Sequence, residues 1–154
     1  METVIMPMES LIEVVLLQLE NGGRANLMVS GSSMMPMLRH RKDSVVLMPV
    51  SQRQKPGDVI FYRRDNGQYI LHRIIRTTDG GYVCCGDNQH ELESVEHRQL
   101  IAVVEEFTYK GKCYGVDATG YRLYTALWVG LFFLRRPYIA LRRRLGRLRN
   151  RYRK

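Results

Sequence analysis

The sequence predicts a mainly β domain: a coiled antiparallel sheet or small barrel, preceded by one short helix and followed by basic amphipathic helices. Three observations predict it. From about residue 27 to residue 116, short runs of β-branched, aromatic and aliphatic residues alternate with turns rich in Gly, Asp and Asn. The intervals between these runs are too short for crossover helices, which leaves antiparallel pairing. Beyond Tyr121 the turns stop, and an uncharged stretch is followed by arginines interleaved with apolar residues at helical spacing.

Composition sets the outer limits. A chain of 154 residues, 45% hydrophobic and 25% charged, fits one domain with a real core. It excludes collagen-like, disulfide-scaffold and wholly disordered classes. No run of 18 apolar residues is present, so an ordinary spanning helix is not expected. No internal repeat is found.

Ser10-Leu11-Ile12-Glu13 has the spacing of a capping box, with hydroxyl and carboxylate each serving the other's backbone N–H. Leu11, Val14, Val15 and Leu19 follow at helical steps, and Asn21-Gly22-Gly23 ends the run. Strands are expected over Leu27–Val29, Ser44–Met48, Asp58–Arg63, Tyr69–Arg76, Tyr82–Cys85 and Leu100–Tyr109. Lys110-Gly111 reads as a two-residue hairpin turn with Cys113–Val116 as the return strand. Three parts result: a helix and linker over 1–26, a β domain over 27–118, and an apolar segment with a basic tail over 119–154.

Residues 135–154 hold ten of the 24 Lys and Arg and no acid, so the first 134 residues are nearly neutral. The charge-free stretch Leu123–Leu134 would make a helix of roughly 18 Å, against a hydrocarbon core of about 30 Å. Beyond Pro137, the residues Leu141, Leu145, Leu148 and Tyr152 recur at steps of four, three and four between arginines. Trp128, Phe132 and Phe133 stand beside the arginines as interfacial anchors do. Residues 123–154 are therefore expected to meet a membrane surface. A helix packed on the domain and a nucleic-acid arm are the competing readings, and only charge supports the latter, so no nucleic acid is expected.

The three cysteines, Cys84, Cys85 and Cys113, read as small buried hydrophobes or free thiols, since two are adjacent and none has metal spacing. No metal or other cofactor is expected. Residues 1–9 carry Glu2 and Glu9 and no basic residue, so no secretory signal is expected there.

Chemistry concentrates in one combination. A serine hydroxyl is a poor nucleophile until a base takes its proton. Ser33 lies in the turn Ser30-Gly31-Ser32-Ser33, where glycine lets backbone N–H groups approach an oxyanion. His72 sits on a strand, on the face of Ile70 and Ile74, with an ordinary pKa of about 6.5 suited to general-base work. Asp87, just past the next strand, is a candidate to orient the imidazole as the third member of a triad. Met34, Met35, Pro36 and Tyr62 read as packing or pocket lining, with Met34 and Pro36 the candidates for a substrate pocket. His40, His90 and His97 read as surface residues.

Four ordered boxes over residues 29–88 resemble the signal peptidase I family and, more distantly, the self-cleaving repressors. They are Ser33-Met34-Met35-Pro36 followed by Leu38, Lys55-Pro56-Gly57-Asp58-Val59-Ile60, Leu71-His72-Arg73-Ile74-Ile75, and Gly86-Asp87-Asn88. Residue 37 is Met where that family often has Thr. The branch with histidine as base is the one matched, because this strand holds His72 and no lysine. The resemblance implies a sheet of the signal peptidase type, a serine endopeptidase activity and a Ser33–His72 pair with Asp87. It implies a second acid, for which Glu93 or, less well placed, Glu91 stands, and peptide or preprotein substrates of leader type. Ser30 and Ser32 are auxiliary candidates beside the Ser33 N–H for the oxyanion. Attachment to the cell membrane is expected through the C-terminal segment, with the side left open. The alternative is an inactive or self-acting relative, a membrane-associated domain that binds peptides without turning them over.

Overall fold

The computed structural model describes residues 8–151. Its elements are α1 (Met8–Glu20), β1 (Ala25–Met28), β2 (Ser44–Pro49), β3 (Val59–Arg63), β4 (Tyr69–Thr78), β5 (Gly81–Cys85), β6 (Glu93–Glu96), β7 (Leu100–Tyr109), β8 (Lys112–Gly115), α2 (Thr119–Gly130) and α3 (Phe132–Arg151). The strands form one sheet in the order β1-β2-β7-β3-β4-β5-β6, with β8 pairing β7 off that path. Every pairing is antiparallel. Register shifts in β2/β7, β3/β7 and β4/β5 increase the local twist and coil the sheet. The sheet is not closed, which corrects the barrel expectation. Its end strands β1 and β6 are four residues each and do not pair with one another.

Both faces of the middle strands are buried, and the pleat assigns side chains to two cores. Val59 and Phe61 join Val45, Leu47, Ala102 and Val104, covered by Val15 and Leu19 of α1 and by Met34, Met37 and Leu38 of the β1–β2 loop. Ile60 and Tyr62 join Ile74, Tyr82, Cys84 and Val95 on the other face. Cys84 and Cys85 are buried in β5, Cys113 is exposed in β8, and all three are free.

The hairpin at Lys110-Gly111 forms as expected, with φ of 51° and 77°, both positive as a type I′ turn requires. Other boundaries move. α1 already runs at Met8, so Ser10 lies within the helix rather than at its N-cap. The side chains of Ser10 and Leu148 and the whole of Tyr152 lie outside the described residues. The C-terminal helices divide at Gly130–Leu131, and Pro137 is accommodated inside α3. Tertiary packing decides this: Phe132 and Ile139 are 3% and 6% exposed, and a break before Phe132 lets α3 turn both onto the body. Among the described residues no helix is long and apolar enough to cross a membrane.

Candidate active site

The serine loop leaves β1 at its free end. Val29 is tied to the 39–43 turn through N–H to the Asp43 carbonyl (3.0 Å) and through the Arg41 N–H to its own carbonyl (2.8 Å). That turn is itself fixed by buried Asp43, which accepts the Arg39 backbone N–H, Nε and Nη2 at 2.7–2.8 Å. The hydrogen bonds from Arg39 outweigh burial and hold the Asp43 carboxyl below its usual range. Gly31 donates its N–H to His40 Nδ1 at 2.7 Å, so an exposed histidine steadies the loop from outside. From the inner side, Asn88 donates its N–H to the Ser33 carbonyl (2.8 Å) and its Nδ2 to the Ser32 carbonyl (3.2 Å). Ser33 is half-buried, whereas Ser30 and Ser32 are exposed.

His72 sits on β4 opposite Ile60 of β3, and is 4% exposed. Gly86 shows how near it comes to the serine loop. A Cβ added there would lie 2.7 Å from the Ser33 carbonyl oxygen and 3.1 Å from His72 Nε2. Only a residue without a side chain lets loop, box and imidazole meet at that point. The hydrogen bond His72 makes is at Nδ1, with the Tyr62 hydroxyl at 3.2 Å, and none joins it to Ser33 among the described residues. Burial, the main cause, pushes its pKa down to about 4, aided by Arg64 and opposed by Glu93 and Asp87. The imidazole is neutral at pH 7, so its 3.8 Å approach to Glu93 is not an ion pair there.

Asp87 is brought to the same corner but not into contact with the imidazole. This corrects its expected role. Arg73, the residue after His72, points to the opposite face of β4 and takes Asp87 in a two-point grip, Nε to Oδ1 and Nη2 to Oδ2, both 2.8 Å. Tyr124 donates its hydroxyl to Oδ2 at 2.9 Å. The remaining Arg73 donors reach the Gly57 carbonyl, Tyr121, Thr125 and the Met37 sulfur. A buried guanidinium needs a carboxylate, and Arg73 lies on the side of the strand that Asp87 faces.

The acid on the His72 side is Glu93, on the edge strand β6. It accepts Arg64 Nε and Nη2 at 2.5 and 2.6 Å and the Tyr62 hydroxyl at 2.8 Å. Burial favours its neutral form, but the hydrogen bonds from Arg64 and Tyr62 prevail and hold it below the usual carboxylate range. Burial and the bond to Glu93 keep the Tyr62 phenol protonated.

The pocket candidates separate. Met34 is 2% exposed and packs in the core, the packing alternative of its two readings rather than the substrate-pocket one. Pro36 is exposed and lines an apolar cavity of about 510 Å³ with Met37, Phe107, Tyr109, Tyr121 and Tyr124. Among the described residues no group of three or more His, Cys, Asp or Glu is placed to hold a metal ion.

The C-terminal helices cover the Gly-Asp-Asn loop. Trp128 Nε1 and Arg135 Nη1 donate to the Asp87 carbonyl at 3.2 and 2.6 Å. Arg136 and Arg143 donate to the carbonyls of His90 and Asn88 at 2.8 and 2.9 Å. Arg135 lies against the rings of Trp128 and Phe132, 4.8 and 5.1 Å from their centroids. Of these residues, Arg64 was not singled out by the sequence pattern, while His40, Tyr62 and the arginines of α3 were read for other roles: surface, packing or pocket lining, and a membrane face. Arg73, a charge inside an apolar strand, carried the one usable signal. Comparison with protein-family models, with curated proteins and with solved structures finds no match, so the site's chemistry is read from its own residues.

Proposed function

We propose that the chain is a serine endopeptidase of the signal peptidase I type, with Ser33 as nucleophile and His72 as base. The observation that carries this reading is the meeting of the Ser33 backbone and His72 Nε2 at Gly86. In the proposed reaction, Ser33 Oγ attacks the scissile carbonyl while His72 Nε2 takes the hydroxyl proton. The same imidazolium then gives that proton to the leaving amine. The Ser33 N–H, which donates to no backbone carbonyl among the described residues, is free to face the oxyanion. Ser30 and Ser32 stand as auxiliary donors on the exposed side of the loop. β1 is bonded on one edge only and runs straight into the serine loop. An extended leader-type peptide added to that free edge would deliver its carbonyl to Ser33.

The proposal extends to the cell membrane. Leu123, Leu127, Leu131, Leu134, Tyr138, Leu141 and Leu145 follow one another at steps of three and four along α2 and α3, and each is 48% or more exposed. An apolar stripe of this length flanked by arginines matches an anionic lipid surface.

A fluorophosphonate probe and cleavage of a leader-type peptide test the mechanism. Ser33→Ala and His72→Ala are each expected to abolish labelling and cleavage with the fold intact. Cleavage that survives Ser33→Ala removes the mechanism. The unbridged Ser33–His72 pair favours one second reading, an inactive or self-acting peptide-binding domain. Failure of the wild-type chain to take the probe would select it.

A further inference from the structure

We infer that Tyr62 is a positioning residue that fixes the tautomer of His72, holding the proton on Nδ1 and leaving the Nε2 lone pair bare toward Ser33. The inference rests on the peptidase reading for its catalytic meaning, but the tautomer itself is independent of that reading.

The argument is a count of protons. A phenol has one hydrogen to donate. Glu93 is ionised and accepts two charge-assisted bonds from Arg64, so the 2.8 Å contact between its Oε2 and the Tyr62 oxygen requires the Tyr62 proton. That hydrogen is then committed to Glu93. Facing His72 Nδ1 at 3.2 Å, the Tyr62 oxygen presents only a lone pair, so Nδ1 must be the donor. A neutral imidazole protonated at Nδ1 has no hydrogen on Nε2. Nε2 is the nitrogen that lies beside Gly86 and the Ser33 loop.

The sheet explains why Tyr62 can do this. Tyr62 pairs with Ile70, and Ile60 pairs with His72, so Tyr62 and His72 are diagonal neighbours on one face of β3 and β4. Arg64 continues the same chain just past β3, and Glu93 opens β6, so three segments converge on the back of the imidazole. The charged and titratable groups acting on the ring are Glu93, Arg64, Asp87 with its partner Arg73, and Tyr62. Among the described residues, only Tyr62 is within hydrogen-bond distance of a ring nitrogen. A protein that kept a base in place merely by packing would have no need of this chain. Phenylalanine would fill the same volume.

The experiment is nitrogen NMR on the full chain with labelled histidine at pH 7, with His72 identified by its loss in His72→Gln. The wild-type spectrum should show a protonated Nδ1 and a bare Nε2 at His72. Tyr62→Phe should convert this to a mixture of tautomers, and Glu93→Gln should shift the ratio in the same direction. In the cleavage assay Tyr62→Phe should lower kcat at least about tenfold with KM unchanged, as expected for a group that acts through the base. A His72 protonated at Nε2 in the wild type overturns the inference. So does a Tyr62→Phe variant with the wild-type spectrum and kcat. If Ser33→Ala retains activity, the peptidase reading fails while the spectrum still decides the tautomer.

Discussion

Arg73 and Asp87 form a two-point ion pair with neither side chain exposed, so the Asp87 carboxylate is bound to Arg73 rather than to His72. Removing one partner leaves the other charged and dry. Asp87→Ala is expected to destabilise the fold by about 3–5 kcal/mol, read by chemical denaturation. Replacing both residues with apolar ones of similar size should recover most of that loss. An Asp87→Ala protein of wild-type stability but without activity would instead mean that Asp87 acts on the imidazole.

The pH dependence follows from the buried imidazole. The folded value, about 4, lies below the ordinary 6.5, so the unfolded chain takes up the proton first as pH falls. Stability from this group is complete above pH 6.5 and declines from there to pH 4. The loss is on the order of 3 kcal/mol. Cleavage, which needs the neutral base, should rise with pH through about 4. Thermal unfolding of wild type and His72→Gln across this range isolates the effect, and parallel curves for the two would refute it.

Gly86→Ala places a methyl group 2.7 Å from the Ser33 carbonyl oxygen and 3.1 Å from His72 Nε2. One contact is with backbone, so the serine loop has to move away. A displacement of about 1 Å is expected to lower kcat on the order of a hundredfold, with a stability loss of about 1–3 kcal/mol. Full activity in this variant would show that loop and imidazole do not need to meet here.

On vesicles, the chain should sediment with membranes containing anionic lipid and much less with neutral ones. Arg142, Arg144 and Arg147 are exposed on α3. Changing all three to Gln should weaken anionic binding by about 1 kcal/mol per charge without altering cleavage of a soluble peptide. Binding that ignores both lipid charge and salt, or no binding at all, would dismiss the membrane reading.

Much of this architecture was legible before any coordinates. The β7–β8 hairpin follows from Lys110-Gly111, and the placement of His72 with Ile70 and Ile74 follows from alternation alone. β6 was not legible, because Glu93-Ser94-Val95-Glu96 offers one apolar residue, Val95, to the core. The same edge strand carries the acid behind His72, so the site's second acid was suggested by resemblance while its contacts were hidden. Asp87 misled for a different reason. A turn aspartate beside a strand can serve either face, and the sequence names two customers, His72 and Arg73, on opposite sides. The buried cation has the stronger need, and it prevails. The helix break at Leu131 was not legible, because it accompanies the burial of Phe132 and Ile139, a tertiary effect.

Three of the arginines counted in the basic tail, Arg135, Arg136 and Arg143, end on backbone carbonyls of residues 87, 90 and 88. The tail is thus bolted to the turn that holds the Ser33 loop, like a bracket rather than a tether. Ser33 and α3 are held on that one turn, so any surface on which α3 rests also sets where Ser33 stands. Under the proposed mechanism, reach then belongs to the substrate: only a bond presented there is within range of the Ser33 hydroxyl.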